Sequence, residues 1–424
     1  MAKEPFIAAR ACNLSLITWL FIKEGFNIII YIKEYFNMNR ISGSYIMTTT
    51  LGETVKAFVP AQLPPADPAL SPSCYVLQNQ AAELALARLS GVTGLVPSID
   101  WLLYGAIRKE ALLTSQIEGT QATLMDLFDD EAGLDIQNAD DIEEVSNYMR
   151  AFRFVRENLR AEDGLPISVR LLSGAHQLLL DGVRGAGKQP GELRKSQNWI
   201  GGTRPGNAVF VPPPADEVPH LLTNLEHFIH QRDKGLPPLV NIALAHAQFE
   251  TIHPFLDGNG RIGRLLIAAL MEYFGLLPEP IMYLSSYLKE HQTEYYRLLS
   301  AIRTDGDWES WVSFFLEGVT QAATLAEKGI IEVASRVSAD RKLLLASQKA
   351  SPASLRLFEL LPMMPRFTIE RVKTELKTTF PTANAAARTL EGLGIISEIT
   401  GQTRNRSFSY QTYIDLISKW LRNF

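Results

Sequence analysis

Cysteine is almost absent from this chain: two occur in 424 residues, Cys12 and Cys74. A pair so placed gives neither a disulfide framework nor a thiolate metal site. The seven histidines lie scattered between His176 and His291 and show no metal-ligand spacing. Positive charge is not in excess either, since 41 Lys and Arg face 46 Asp and Glu for a net charge of −5. Nonspecific nucleic-acid binding by the whole molecule is therefore not expected. Long apolar runs are missing too. The stretch Ala11–Ile22 is too short for a bilayer span, which needs about 20 residues.

The chain has ample material for a core, with 46% hydrophobic and 21% charged residues, enough for two or three domains of a soluble, cytoplasmic protein. Residues 1–46 are unlike the rest. Lys3 and Arg10 precede the apolar stretch as in a secretory signal, but no small-residue cleavage site follows, and Lys23-Glu24 and Lys33-Glu34 interrupt what comes next. After Met47 the sequence reads as an ordinary polar, Pro-rich N-terminus, so we take translation to start there; a membrane-associating helix is the alternative for the segment before it. Between about 75 and 330 helices dominate, with apolar residues three and four apart in Asp141–Leu159, Val169–Leu180 and Val218–Ile229. Trp308 and Trp311 open a further helix as core anchors.

The chemistry is concentrated in residues 253–264, HPFLDGNGRIGR. Pro254 disfavours helix at the residue before it, so the apolar run Leu239–Ile252 should end at His253 and leave the imidazole on a loop. Phe255 plugs the core. Gly258, Asn259 and Gly260 tolerate left-handed backbone, so successive N–H groups can form a nest around one anion. The helix expected from Arg261 onward aims its positive end at the same anion. Arg261 and Arg264, three apart, share a helix face suited to phosphate. Asp257 is an oxygen ligand for Mg²⁺, and His253 can take a proton from an attacking hydroxyl.

This stretch resembles the signature of the Fic family, HPFx(D/E)GNGRxxR, at every specified position. The resemblance implies AMP transfer from ATP to a Ser, Thr or Tyr hydroxyl of a protein. In it His253 is the general base, Asp257 holds Mg²⁺, Gly258, Asn259 and Gly260 line the phosphates, and Arg261 and Arg264 neutralise the outer ones. The Doc branch, which phosphorylates, carries lysine where this chain has Gly260.

Upstream, the helix-like segment Ile107–Gly119 ends on a glycine in the position of a left-handed cap. Glu118 thus meets the negative end of the helix dipole, unfavourable by a few tenths to about 1 kcal/mol unless a cation pairs with it. Thr114-x-x-x-Glu118-Gly119 resembles the inhibitory motif (S/T)xxxE(G/N) of Fic proteins, whose glutamate pairs with the second arginine of the signature, here Arg264. Glu118 is then the brake, unless it positions a water for AMP removal. The segment Glu192–Val211 reads as a hairpin. In relatives such a hairpin is a flap that clamps the target by strand addition. Tyr295 and Tyr296 either wall an adenine pocket or pack in the core, and Gln248 and Glu290 are polar candidates for its rim.

From residue 351 the pattern changes to three short helices, Ser354–Leu361, Ile369–Leu376 and Ala383–Leu393, then two β-like runs about the turn Gly401–Asn405. That is the order of a winged helix. This tail holds ten Lys and Arg against six Asp and Glu. Its positive balance suits a DNA backbone, with Arg388, Arg404 and Arg406 as the first contacts to examine; winged helices also bind proteins.

The expected fold is mainly α, an all-helical Fic core with a β-hairpin flap followed by a small winged-helix domain. The divisions are 1–46 extension, 47–130 N-terminal region with the inhibitory helix, 131–330 catalytic core, 331–350 helical linker and 351–424 winged helix. The leading function is a protein adenylyltransferase using ATP and Mg²⁺, restrained by Glu118 and acting on a partner protein or on itself; the sequence is silent on oligomeric state, and the homodimer found in relatives is one candidate assembly. The competing function is a winged-helix transcriptional regulator whose Fic core senses nucleotide.

Overall fold

The computed structural model describes residues 40–231, 235–402 and 405–422. The segment 1–46, expected to be an untranslated extension, falls mostly outside them. Residues 40–46 do not: β1 (Gly43–Thr50) and β2 (Glu53–Pro60) form an antiparallel hairpin in register from Gly43↔Pro60 to Thr50↔Glu53. The boundary set at Met47 therefore falls inside a strand. Arg40 is 5% exposed and ion-paired with Glu309 at 2.7 Å, which ties this end of the chain to the core.

Helices follow in the order α1 (Val76–Gly91), α2 (Ile99–Ile117), α3 (Leu124–Glu131), α4 (Ala139–Arg160), α5 (Val169–Leu179), α6 (Val218–His230), α7 (Pro238–Ile252), α8 (Asn259–Tyr273), α9 (Ser285–Glu290), α10 (Gln292–Asp305) and α11 (Trp308–Ala346). Their starts follow local chemistry. Ser98, Thr123 and Ser168 each cap a helix by accepting a backbone N–H, and Thr123 forms a reciprocal box with Asp126. Pro238 opens α7, where its missing N–H costs nothing.

Helix α7 is the centre of the core, buried from Leu239 to Ile252 on every side. Its small and aliphatic residues (LVNIALA) let α6, α8 and α11 approach from different directions. Trp311 is fully buried on α11 and donates its indole N–H to the Ala243 carbonyl at 2.9 Å. Helix α11 runs without a break across residue 330, so the boundary expected there, between core and linker, is the middle of one helix.

The tail contains α12 (Pro352–Leu360), β3 (Arg366–Thr368), α13 (Ile369–Glu375), α14 (Phe380–Gly392), β4 (Ser397–Glu398), β5 (Ser407–Ser409) and α15 (Gln411–Arg422). The strands form an antiparallel sheet in the order β3-β5-β4. Strand β3 and helix α15 were not anticipated from the pattern. Both are tied to the core: Arg366 pairs with Asp129, and the Tyr410 hydroxyl beside α15 donates to Asp340 on α11 at 2.6 Å.

Candidate functional site

The signature lies at the α7–α8 junction. Residue 253 is the left-handed cap of α7, with φ 50°, which turns the chain out of the helix and leaves the imidazole half-buried on the loop. Its backbone is held by Arg194, a residue that sequence reasoning passed over. The Arg194 guanidinium is 2% exposed and donates to the carbonyls of His253 (2.9 Å), Pro213 (2.5 Å), Ser196 (3.3 Å) and Ile252 (3.4 Å). No described carboxylate pairs with it, and burial brings its pKa down to about 10. Replacing Arg194 with alanine should lower unfolding stability by ~2 kcal/mol or more, because several buried carbonyls lose their donor. Urea denaturation measures it, and an unchanged midpoint would refute the positioning role.

Burial, aided by Arg194, brings the His253 pKa down to about 4. The ring is neutral at pH 7 and free to accept a proton. Its Nδ1 is buried and, among the described residues, has no hydrogen-bond partner.

Phe255 is 1% exposed, stacked on His176 with ring centroids 3.9 Å apart. His176 accepts from the Gly191 N–H through Nδ1 (2.8 Å), so Nε2 carries the proton donated to the Asp257 carbonyl at 3.0 Å. This second unforeseen residue steers the loop that bears Asp257. Nothing in its local sequence distinguishes it.

The expected nest is replaced by a simpler device. Only Gly258 is left-handed, at φ 74°, while Asn259 and Gly260 already belong to α8, two residues earlier than anticipated. The first intrahelical bond runs from Ile262 N–H to the Gly258 carbonyl, so the amides of Asn259, Gly260 and Arg261 have no acceptor within the helix. An anion there meets a helix N-terminus. The Asn259 side chain is not part of this surface: its amide exchanges two 2.8 Å bonds with the Phe255 backbone, because a turn this tight leaves that N–H and carbonyl otherwise unpaired. Asp257 directs Oδ1 to the Gly258 N–H at 2.7 Å.

Both arginines are buried, but each has its own carboxylate. Arg264, 2% exposed, donates to Thr114 Oγ1 (2.5 Å), the Thr114 carbonyl (3.0 Å) and Glu118 Oε1 (2.5 Å). Burial alone would raise the Glu118 carboxyl, but Arg264 outweighs it and holds the pKa below the usual range. The pair therefore persists at neutral pH and is lost only as pH falls through that depressed value. Gly119 turns the chain after α2 with φ 102°. A side chain at Gly260 would place Cβ 2.4 Å from Glu118 Oε1, so the docked glutamate requires glycine there.

Arg261, 1% exposed, meets Glu144 of α4 at 3.1 Å, and its Nε has no hydrogen-bond partner among the described residues. Glu144 was not foreseen, because the contact links residues 117 positions apart. Glu250 was missed as well. One turn before His253, it is 9% exposed, burial raises its pKa to about 7, and its Oε1, packed against Gly263, has no hydrogen-bond partner among the described residues.

Three rim assignments change. Tyr295 is a core residue, 1% exposed, with its hydroxyl on His246 Nε2 at 2.9 Å, so it walls no pocket. Gln248 spends its amide on the Ala61 carbonyl at 2.8 Å, which fastens the segment after β2. Glu290 is exposed at the last residue of α9. Tyr296 is half exposed and does lie in the field of Glu118 and Arg264. The expected hairpin is reduced to one antiparallel bridge, Ile200↔Phe210, since Gly201, Gly202 and the turn Pro205–Asn207 prevent longer strands. Strand β2 continues it through the Phe58 N–H to the Val211 carbonyl at 3.0 Å.

In the tail, Arg388 is exposed on α14 and Arg406 donates to Asn384 of the same helix at 2.8 Å. Arg404 lies outside the described residues.

Residues 76–157 match the Fic/DOC family N-terminal region and residues 166–271 match the Fic/DOC family domain. The protein adenylyltransferase Fic of Drosophila grimshawi is 28% identical over 208 residues, covering 47% of this chain and 39% of that protein. The same enzyme of Drosophila virilis gives the same figures. The chain thus matches about two fifths of the length of these relatives. Among solved structures, a Fic family protein from Desulfovibrio desulfuricans G20 superposes with a TM-score of 0.51 at 20% identity, over 80% of this chain and 96% of that one. At that identity the likeness speaks for the fold alone. From the HPFLDGNGRIGR junction outward, this chain carries the two regions of the Fic/DOC family, its N-terminal region over residues 76–157 and its Fic domain over residues 166–271.

Proposed function

We propose that the chain is a protein adenylyltransferase held off by its own Glu118. The observation that carries this reading is a half-buried, neutral His253 beside the start of α8, where free amides and two buried guanidiniums converge on one anion-binding region. In the reaction, a hydroxyl oxygen of the target polypeptide attacks the α-phosphorus of ATP. Its proton passes to His253, the bond from the α-phosphorus to the bridging oxygen breaks, and pyrophosphate leaves.

Asp257 fits a divalent cation as one carboxylate ligand, with Oδ1 already oriented by the Gly258 N–H. Among the described residues no cluster of three or more acidic, His or Cys side chains surrounds it, which suits Mg²⁺ drawing its other ligands from phosphates and water. The ion would neutralise phosphate charge. Arg264 and Arg261 orient the outer phosphates, and Glu118 competes with them for Arg264. Labelled ATP tests the reading. Label should enter protein with the Glu118→Gly chain and vanish with Glu118→Gly/His253→Ala; absence of label in both would leave a nucleotide-binding scaffold.

Helices α12, α13 and α14, the three-stranded sheet and Arg388 exposed on α14 support a winged-helix reading of the tail, with α15 as a fourth helix after the sheet. DNA is its proposed ligand. The full chain should then bind duplex in a salt-dependent manner, and the Arg388→Ala/Arg406→Ala chain should lower the salt slope by roughly two, about one per lost phosphate contact. An unchanged slope would point to a protein partner for this surface. Among the described residues no helix is long and apolar enough to cross a membrane.

A further inference from the structure

Glu144 holds more than Arg261. The buried carboxylate, 4% exposed, also meets Arg184, with Oε1 3.3 Å from Arg184 Nε and Oε2 3.4 Å from Nη2. Arg184 follows α5, its side chain is 56% exposed, and its Nη2 also reaches the Glu118 carbonyl at 3.4 Å. The adjacent Gly185, at φ 93°, backs onto Asp257 so closely that a Cβ would sit 3.0 Å from Oδ2. One exposed guanidinium thus stands between the carboxylate that holds Arg261, the end of the inhibitory helix and the loop that carries Asp257. Its bonds are long for charge-assisted ones, which prefer about 2.7–2.9 Å. Arg184 is therefore held loosely while Glu144 is held firmly.

We propose that Arg184 is a third phosphate-reading arginine, which leaves Glu144 for the terminal phosphates of a nucleoside triphosphate while Glu144 stays behind to orient Arg261. This rests on the nucleotide reading above and adds to it a residue that discriminates by phosphate number. Glu144 cannot follow because burial fixes it, and its bond to Arg261 at 3.1 Å remains. Arg184 has solvent on one side and five donors in a planar fork suited to a phosphate edge.

The test measures binding by the full-length Glu118→Gly chain, with and without Arg184→Ala, by calorimetry against ATP, AMP and inorganic tripolyphosphate. The expected result is a loss of roughly tenfold or more for ATP and tripolyphosphate, with AMP affinity unchanged. Arg184→Lys should recover only part of it, because a point charge lacks the fork. Equal loss for AMP, or no loss for tripolyphosphate, overturns the proposal. Tripolyphosphate binding that depends on Arg184 in a chain that binds no ATP would keep the arginine's role and sink the nucleotide reading instead.

Discussion

Replacing Glu118 with glycine should raise ATP affinity by about 10- to 150-fold and bring AMP incorporation up with it. The argument is a competition for one cation. Arg264 is almost wholly buried and, among the described residues, forms its ion pair with Glu118 at 2.5 Å, with Thr114 supplying neutral acceptors. A hydrogen bond to a charged group is worth roughly 1.5–3 kcal/mol, and an incoming phosphate must displace it before Arg264 can serve. Deleting the carboxylate removes that cost. The glutamate side chain is 32% exposed, so solvent screens part of the pair and the lower end of the range is the better guide. The same change leaves a buried guanidinium without its anion, so the ligand-free variant should melt lower than the parent and regain more on adding ATP. Calorimetric titration and thermal melts report both effects. Equal ATP affinity in variant and parent would remove the brake.

Replacing His253 with alanine in that released background should cut AMP transfer by roughly 10²–10⁴-fold while ATP affinity stays within a factor of about two, since the ring acts on the attacking hydroxyl and not on the phosphates. Its acid–base behaviour gives an independent check. An ordinary histidine would lose its basic form below about pH 6.5. Burial and Arg194 hold this one near 4, so transfer in the Glu118→Gly chain should remain undiminished from pH 7 to about 5 and fall only below that. An acid limb centred near 6.5 contradicts the assignment of the base.

The same burial has a consequence for stability. His176 and His246 are also brought down, to about 4 and about 3, by burial. In each case the folded pKa lies below the unfolded one, so the unfolded chain takes up protons first. Stability from these groups is full above about pH 6.5 and is lost as pH falls toward 4. A urea midpoint that holds constant between pH 7 and 4.5 would mean that these rings are not buried in neutral form.

Much of the site was legible because its parts are contiguous. Pro254 stops α7, Gly258 permits the left-handed turn, and α8 follows at once, so the order of His253, Asp257 and the arginines reads off one short stretch. The pairing of Glu118 with Arg264 was legible for a related reason: Gly119 marks the end of a helix, and a carboxylate there calls for a cation. Three of the tail's four helices were legible in the sequence and α15 was not, whereas β3, only three residues long, carries too little alternation to be seen. Tyr295 misled because an aromatic at helical spacing looks alike whether it faces a pocket or a core. Its hydroxyl bond to His246 depends on how α10 lies against α7, which local pattern does not encode.

What the linear chain determined by itself was the chemistry at the junction, since backbone sterics at proline and glycine and the dipole of the following helix act over a few residues. Tertiary structure alone decided who answers each charge. Glu144 reaches Arg261, Arg194 grips the carbonyl of His253, and His176 lies flat on Phe255, each across a long gap in sequence. Such pairings follow from the packing of whole helices. A buried charge or ring takes whichever partner the packed fold brings within reach, and that partner leaves no mark on the residues beside it.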